Sequence, residues 1–80
     1  MGSEPHEVLD LRNFLRPVAL LEVTNVFREL LPSEVLEVIV GDLDTRDDLL
    51  RVLKAVPHEI IDVDEQGSFW RILVKKGEQR

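Results

Sequence analysis

The sequence predicts an α/β two-layer sandwich of element order βαβαββ, with two helices on one face of a four-stranded mixed sheet. Three observations carry this. Two stretches, 17–31 and 45–56, repeat apolar residues at a spacing of about 3.6, and each runs into a proline. A short alternating segment and the β-branched run EVLEVIV flank the first of them, in the order of a right-handed parallel crossover. Two further apolar segments close the chain around Glu65-Gln66-Gly67, which reads as a hairpin.

Taken in order, Val8 to Arg12 alternates and reads as a strand with Leu9 and Leu11 on one face. Asn13 to Arg16 is a loop, and Pro17 suits a first helical turn, where its missing N–H would have had no partner. Leu20, Val23, Val26, Phe27, Leu30 and Leu31 form one stripe, so the helix is expected to end near Leu31, at Pro32. Glu34 to Val40 is a buried strand ending at Gly41. Thr45 followed by Asp48 is the expected capping start of the second helix, which turns Leu49, Val52, Leu53 and Val56 inward. Glu59–Asp64 and Ser68–Lys75 are the last two strands. Residues 8–76 are expected to form a single domain, with a flexible tail at 1–7 and a C-terminal tail at 77–80.

Period two also assigns the faces of the sheet. Leu9, Leu11, Leu36, Val38, Ile61, Val63, Trp70, Ile72 and Val74 are expected beneath the helices. Val8, Val35, Ile39, Ile60, Phe69 and Leu73 then fall on the uncovered side, among Asp10, Arg12, Glu37, Asp62 and Arg71. That side is either the ordinary open face of a small domain or the contact surface of a homodimer or partner.

A net charge of -6 and a pI near 4.8 argue against nucleic acid and anionic membranes, which both need a basic surface. The basic cluster is confined to Arg71, Lys75, Lys76 and Arg80. No apolar run approaches the ~18 residues that span a bilayer, and the amino terminus has no signal-peptide core, so a cytoplasmic protein is expected. The chain has no cysteine, hence no disulfide and no thiolate. Asp42, Asp44, Asp47 and Asp48 lack the spacing of a calcium loop and read as turn and cap residues. His6 and His58 are isolated, one in the tail and one at a strand start. No metal, cofactor or catalytic set is therefore expected.

Arg16 is the unusual residue. It precedes Pro17 where the helix begins, and a cation there faces the positive end of the helix dipole. Serine or aspartate in its place is expected to stabilise the domain by roughly 0.5–1 kcal/mol. Val18 and Leu21 fall outside the stripe centred on Phe27, beside the loop that holds Phe14 and Leu15. Three readings stand. Phe14 and Leu15 tuck under the helix and Arg16 is solvated; or Phe14, Leu15, Arg16, Pro17, Val18 and Leu21 form a protein-docking surface; or Arg16 and free backbone N–H groups hold a small anion. Lys76→Ala, taken as lying on the far side, is expected to change partner capture little.

VLDLRNFLRPVALLEVTNVFREL resembles the opening of the TusA/SirA-type sulfur carriers, which read roughly L-D-x-R-G-x-x-C-P-x-P-V-L there. EVLEVIVGD, Asp48-Leu49, His58-Glu59-Ile60-Ile61 and FWRILVKK continue the resemblance, from about Val8 to Lys76. In those carriers a cysteine at the helix start accepts sulfur as a persulfide and passes it on, its thiolate favoured by the helix terminus. Here that position is Arg16; Pro17 matches the first proline, Ala19 replaces the second and Asn13 replaces the glycine. A guanidinium has no thiolate and no redox chemistry, so it cannot hold sulfur. The lysines usual on the carriers' exposed helix face are replaced by Glu22, Thr24 and Asn25. The resemblance thus implies a non-enzymatic interaction or regulatory module with sulfur-relay proteins as partners, the alternative being a small-molecule or anion-binding domain at Arg16.

Overall fold

A computed structural model describes residues 5–78. Its elements are β1 (Glu7–Asp10), α1 (Arg16–Glu29), β2 (Val35–Val40), α2 (Leu43–Leu53), β3 (His58–Glu65) and β4 (Trp70–Lys76). They form the expected two-layer fold, with sheet order β1-β2-β4-β3. β1 is parallel to β2, and β4 is antiparallel to both β2 and β3. The last strand therefore sits inside the sheet, and the crossover through α2 passes over it. Sequence chemistry accounts for the order. β4 supplies Ile72 and Val74, both fully buried, whereas β3 carries Glu59, Asp62, Asp64 and Glu65, the charged pattern that protects an edge.

Both helices cover one face of the sheet. Ala19, Val23 and Phe27 of α1 and Leu49 and Leu53 of α2 meet Leu36, Val38, Val40, Ile72 and Val74 in one core. Three expectations about this core change. Leu31 is exposed, because α1 ends at Glu29 and its stripe closes on the buried Leu30. Ala19, which the helical stripe had not included, is buried. Val52 is exposed at the edge of α2 rather than inward.

The cap of α2 also moves. Asp42, not Thr45, is the N-cap: its carboxylate accepts from the Thr45 backbone N–H at 3.0 Å and from the Thr45 hydroxyl at 2.8 Å. These bonds, the hydroxyl's first, together with the more distant charge of Arg16, hold the Asp42 carboxyl below the usual carboxylate range.

The edge strand departs from strict alternation. The register slips between Ile60 and Asp62, so Ile61 is the extra residue of a bulge. Ile60 pairs with Val74 and Val63 with Ile72, which puts Ile60 on the helix-facing side instead of the open one. Ile61 and Val63, expected in the core, stay exposed because neither helix reaches over β3. On the open side Val35, Ile39 and Leu73 are half-buried among charges. Arg12 chelates Asp10 and stacks over Phe69 at 4.8 Å, and Lys75 meets Glu59 at 3.3 Å.

Residues 6, 7 and 77, which the sequence assigns to the tails, make contacts with the fold. The His6 backbone N–H donates to Val35 O, its ring lies 3.3 Å from the Glu34 carboxylate, and Glu7 already belongs to β1. Gly77 donates to Pro57 O at 2.9 Å. Residues 1–4 and 79–80, the rest of the expected tails, lie outside the described residues.

Lys76 has a structural role that the sequence did not assign to it. It is 6% exposed, and its ammonium donates to Phe27 O at 2.7 Å, Leu30 O at 2.9 Å and Arg28 O at 3.2 Å. The last carbonyls of α1 lack the i+4 donors of the helix interior, Phe27 O having only the Leu30 N–H, and a cation at that negative end is favoured twice, by hydrogen bonding and by the dipole. Lys76 is thus the C-terminal cap of α1, donated from β4.

Candidate functional site

The two helices begin side by side at one end of the sheet. α1 starts at Arg16 after Leu15, an N-cap with no side-chain acceptor, and Pro17 fills the first turn. Arg16 therefore stands one position past the cap. Its guanidinium reaches the start of α2: Nη1 lies 3.6 Å from the Asp44 carboxylate and Nε 3.5 Å from that of Asp48. Asp48 also accepts from Arg51 at 2.8 Å. The positive charge that looked misplaced on α1 is answered by carboxylates from its neighbour, which also offset two adjacent positive helix ends. These distances make ion pairs rather than hydrogen bonds.

Arg16 is accordingly neither freely solvated nor a cap competitor. The expected gain from serine or aspartate at this position does not survive, because a side chain here cannot act as the N-cap. Arg16→Asp loses both ion pairs and adds a fourth carboxylate beside Asp42, Asp44 and Asp48. It should destabilise the domain by roughly 0.5–1 kcal/mol at low salt, less at high salt. Urea denaturation at two ionic strengths measures this; a more stable variant would mean the pairs contribute nothing in solution.

The apolar residues beside Arg16 do not tuck under the helix. Phe14 is 44% exposed, Leu15 76%, Val18 45% and Leu21 59%, and Pro17 is exposed as well. The loop is held in place by the Phe14 N–H bonding Leu11 O at 3.1 Å, and Leu11 is buried. Leu15, Val18 and Leu21 succeed one another at i, i+3, so they line one flank of α1. Leu43, next to Asp44, is half-exposed at the same end. Sequence reading passed over it, although a leucine directly after a capping aspartate and outside the inward stripe was a usable signal.

Other expectations find their places. Trp70 is half-buried against the core, with the Arg46 guanidinium stacked over it at 4.4 Å. His58 opens β3 and its Nδ1 lies 2.9 Å from Val56 O. Among the described residues, no group of three or more His, Cys, Asp or Glu could hold a metal ion, and no helix is long and apolar enough to cross a membrane. A groove of about 390 Å³ opens at the other end of the helices, between Thr24, Phe27 and Arg28 of α1 and Val52, Leu53, Ala55 and Val56. The ammonium of Lys76 at this groove has its three donors committed to carbonyls.

Residues 7–76 match the sequence model of the family described as Sulfurtransferase TusA. The chain belongs to the TusA family. It is 32% identical over 69 residues to a "Putative sulfur carrier protein" of Archaeoglobus fulgidus, covering 86% of this chain and 94% of that protein. It is 29% identical over 70 residues to a protein of the same description from Thermotoga maritima, covering 86% and 89%. The crystal structure of a SirA-like protein from Desulfitobacterium hafniense superposes with a TM-score of 0.71 at 16% identity, over 90% of this chain and 99% of that one, which shows a shared fold. This TusA-family chain contains no cysteine.

Proposed function

We propose that this chain is a non-catalytic docking member of the TusA family, which binds proteins of sulfur-transfer systems and carries no sulfur itself. The observation behind this reading is the exposed apolar surface of Phe14, Leu15, Val18 and Leu21 around Arg16, where the family motif has its reactive residue. Exposing this much apolar side chain at one spot has a cost in water that contact with a partner removes. The anion-binding alternative is weakened by the same geometry: the guanidinium is already between two carboxylates, with Asp42 a third nearby.

The test uses a cysteine desulfurase, labelled cysteine and a cysteine-bearing TusA relative. This chain should remain unlabelled, since no side chain can hold a persulfide. Added in excess, it should slow transfer to the relative by occupying the same docking place. Phe14→Ala and Leu15→Ala should each weaken that competition by fivefold or more, in line with the loss of an interface anchor. Reductant-sensitive label on this chain would sink the non-carrier reading. Competition indifferent to both substitutions would sink the docking surface.

A further inference from the structure

We infer that the docking face takes a partner whose apolar contact residues are flanked by lysine or arginine. The inference rests on the docking reading above and adds the partner's charge. Asp44, Asp47, Asp48 and Arg51 share one flank of α2 at i, i+3, i+4 and i+7, and Asp44 and Asp48 turn toward Arg16. On α1, Glu22 follows Leu21 on the flank of Val18. The cations of this end are already committed. Arg46 binds Asp47 at 2.6 Å and stacks on Trp70, Arg51 binds Asp48, and Arg16 lies between Asp44 and Asp48.

The carboxylates are not used up. Arg46 contacts only Oδ1 of Asp47, and Arg16 approaches only Oδ2 of Asp44, whose side chain is 80% exposed. Each ionised carboxylate offers about four acceptor sites on two oxygens, so both keep vacant lone pairs. An arriving cation finds free acceptors, whereas an arriving anion meets guanidinium groups that each already lie beside a carboxylate. Removing water from the neighbouring apolar surface strengthens whichever pairing forms there. A second copy of the chain is the wrong occupant: a two-fold contact would set Asp44 and Glu22 against the like charges of its mate. The net charge of -6 draws basic partners from a distance in the same sense.

Two synthetic helical peptides test this, identical in a Leu/Phe stripe and differing only in lysine or glutamate flanks. Each is titrated into the full chain while backbone amide shifts are followed. The lysine-flanked peptide should bind, shifting Leu15, Val18, Leu21 and Asp44, and should weaken as salt rises. Asp44→Asn with Asp47→Asn should lower its affinity roughly fivefold. Neutralising Glu59 and Asp64 on the open sheet face, Glu59→Gln with Asp64→Asn, should leave it unchanged. Equal binding of both peptides at the patch would overturn the charge preference and leave docking standing. Shifts confined to β3, or equal losses in both double variants, would show mere attraction to an acidic chain and overturn the proposal. No shift at Leu15, Val18 or Leu21 with either peptide would overturn the proposal together with the docking reading.

Discussion

Replacing Lys76 by alanine should cost the domain about 3 kcal/mol, because it removes the cation that caps the end of α1. The substitution removes a charged donor from three carbonyls, two of whose bonds are buried; Phe27 O keeps the Leu30 N–H, while the carbonyls of Arg28 and Leu30 lose the ammonium outright. A hydrogen bond from a charged group is worth ~1.5–3 kcal/mol, and an unsatisfied buried acceptor costs ~1–3 kcal/mol. The sum is held down because the solvent-facing Arg28 carbonyl and the neighbouring groove admit water. For a domain of this size such a loss lowers Tm by roughly 15 °C. Lys76→Met separates the causes, since it keeps the aliphatic stem and removes only the donor; most of the loss should persist. Thermal and urea unfolding of both variants measures it. A cost below ~0.5 kcal/mol for either would mean that water caps α1 as well as the ammonium does.

Phe27→Ala should cost about 3–4 kcal/mol. Its ring is among the largest fully buried side chains, and it lies under the Lys76 ammonium at 5.3 Å. Removing it opens a cavity in the core, loses the cation–ring contact and loosens the turn whose carbonyl Lys76 holds. The void would join the groove at the C-terminal ends of the helices, so partial filling by water keeps the cost below the upper end for Phe→Ala. Because the two residues touch, the double variant with Lys76→Met should fall short of additivity by roughly 1 kcal/mol. A double-mutant cycle from urea denaturation checks this. Full additivity would show that ring and ammonium act independently.

The layered fold was legible because each element's period agreed with its neighbours. Leu36, Val38, Val40, Ile72 and Val74 alternate in sequence and are the residues that the structure buries completely. Val23 and Phe27 follow the helical stripe in the same way, and Val18 and Leu21 leave it and are exposed. The exposed patch was thus readable as a helix flank pointing away from the core. Phe14 and Leu15 were not, because a loop has no period from which direction can be read. Ile60 and Ile61 misled for a related reason. A bulge inserts a residue without any local sequence mark here, so Val63 and Asp62 keep their expected sides while Ile60, on the other side of the bulge, changes its own.

Residue chemistry alone determined that this member of a sulfur-carrier family has no thiol on which to hold sulfur, and local periodicity determined its two layers. Tertiary structure decided what the charged residues do. Lys76 follows Ile72 and Val74 on the same side of β4, yet a lone lysine is almost never buried without a partner. Its partners are the final carbonyls of α1, 46 to 49 residues earlier in the chain. Arg16 was judged against its own helix, whereas the field it experiences is set by Asp44 and Asp48 of the other. Burial and solvation follow from how much water and which partners surround a group, and for both residues those partners are supplied by elements that meet only when the chain folds.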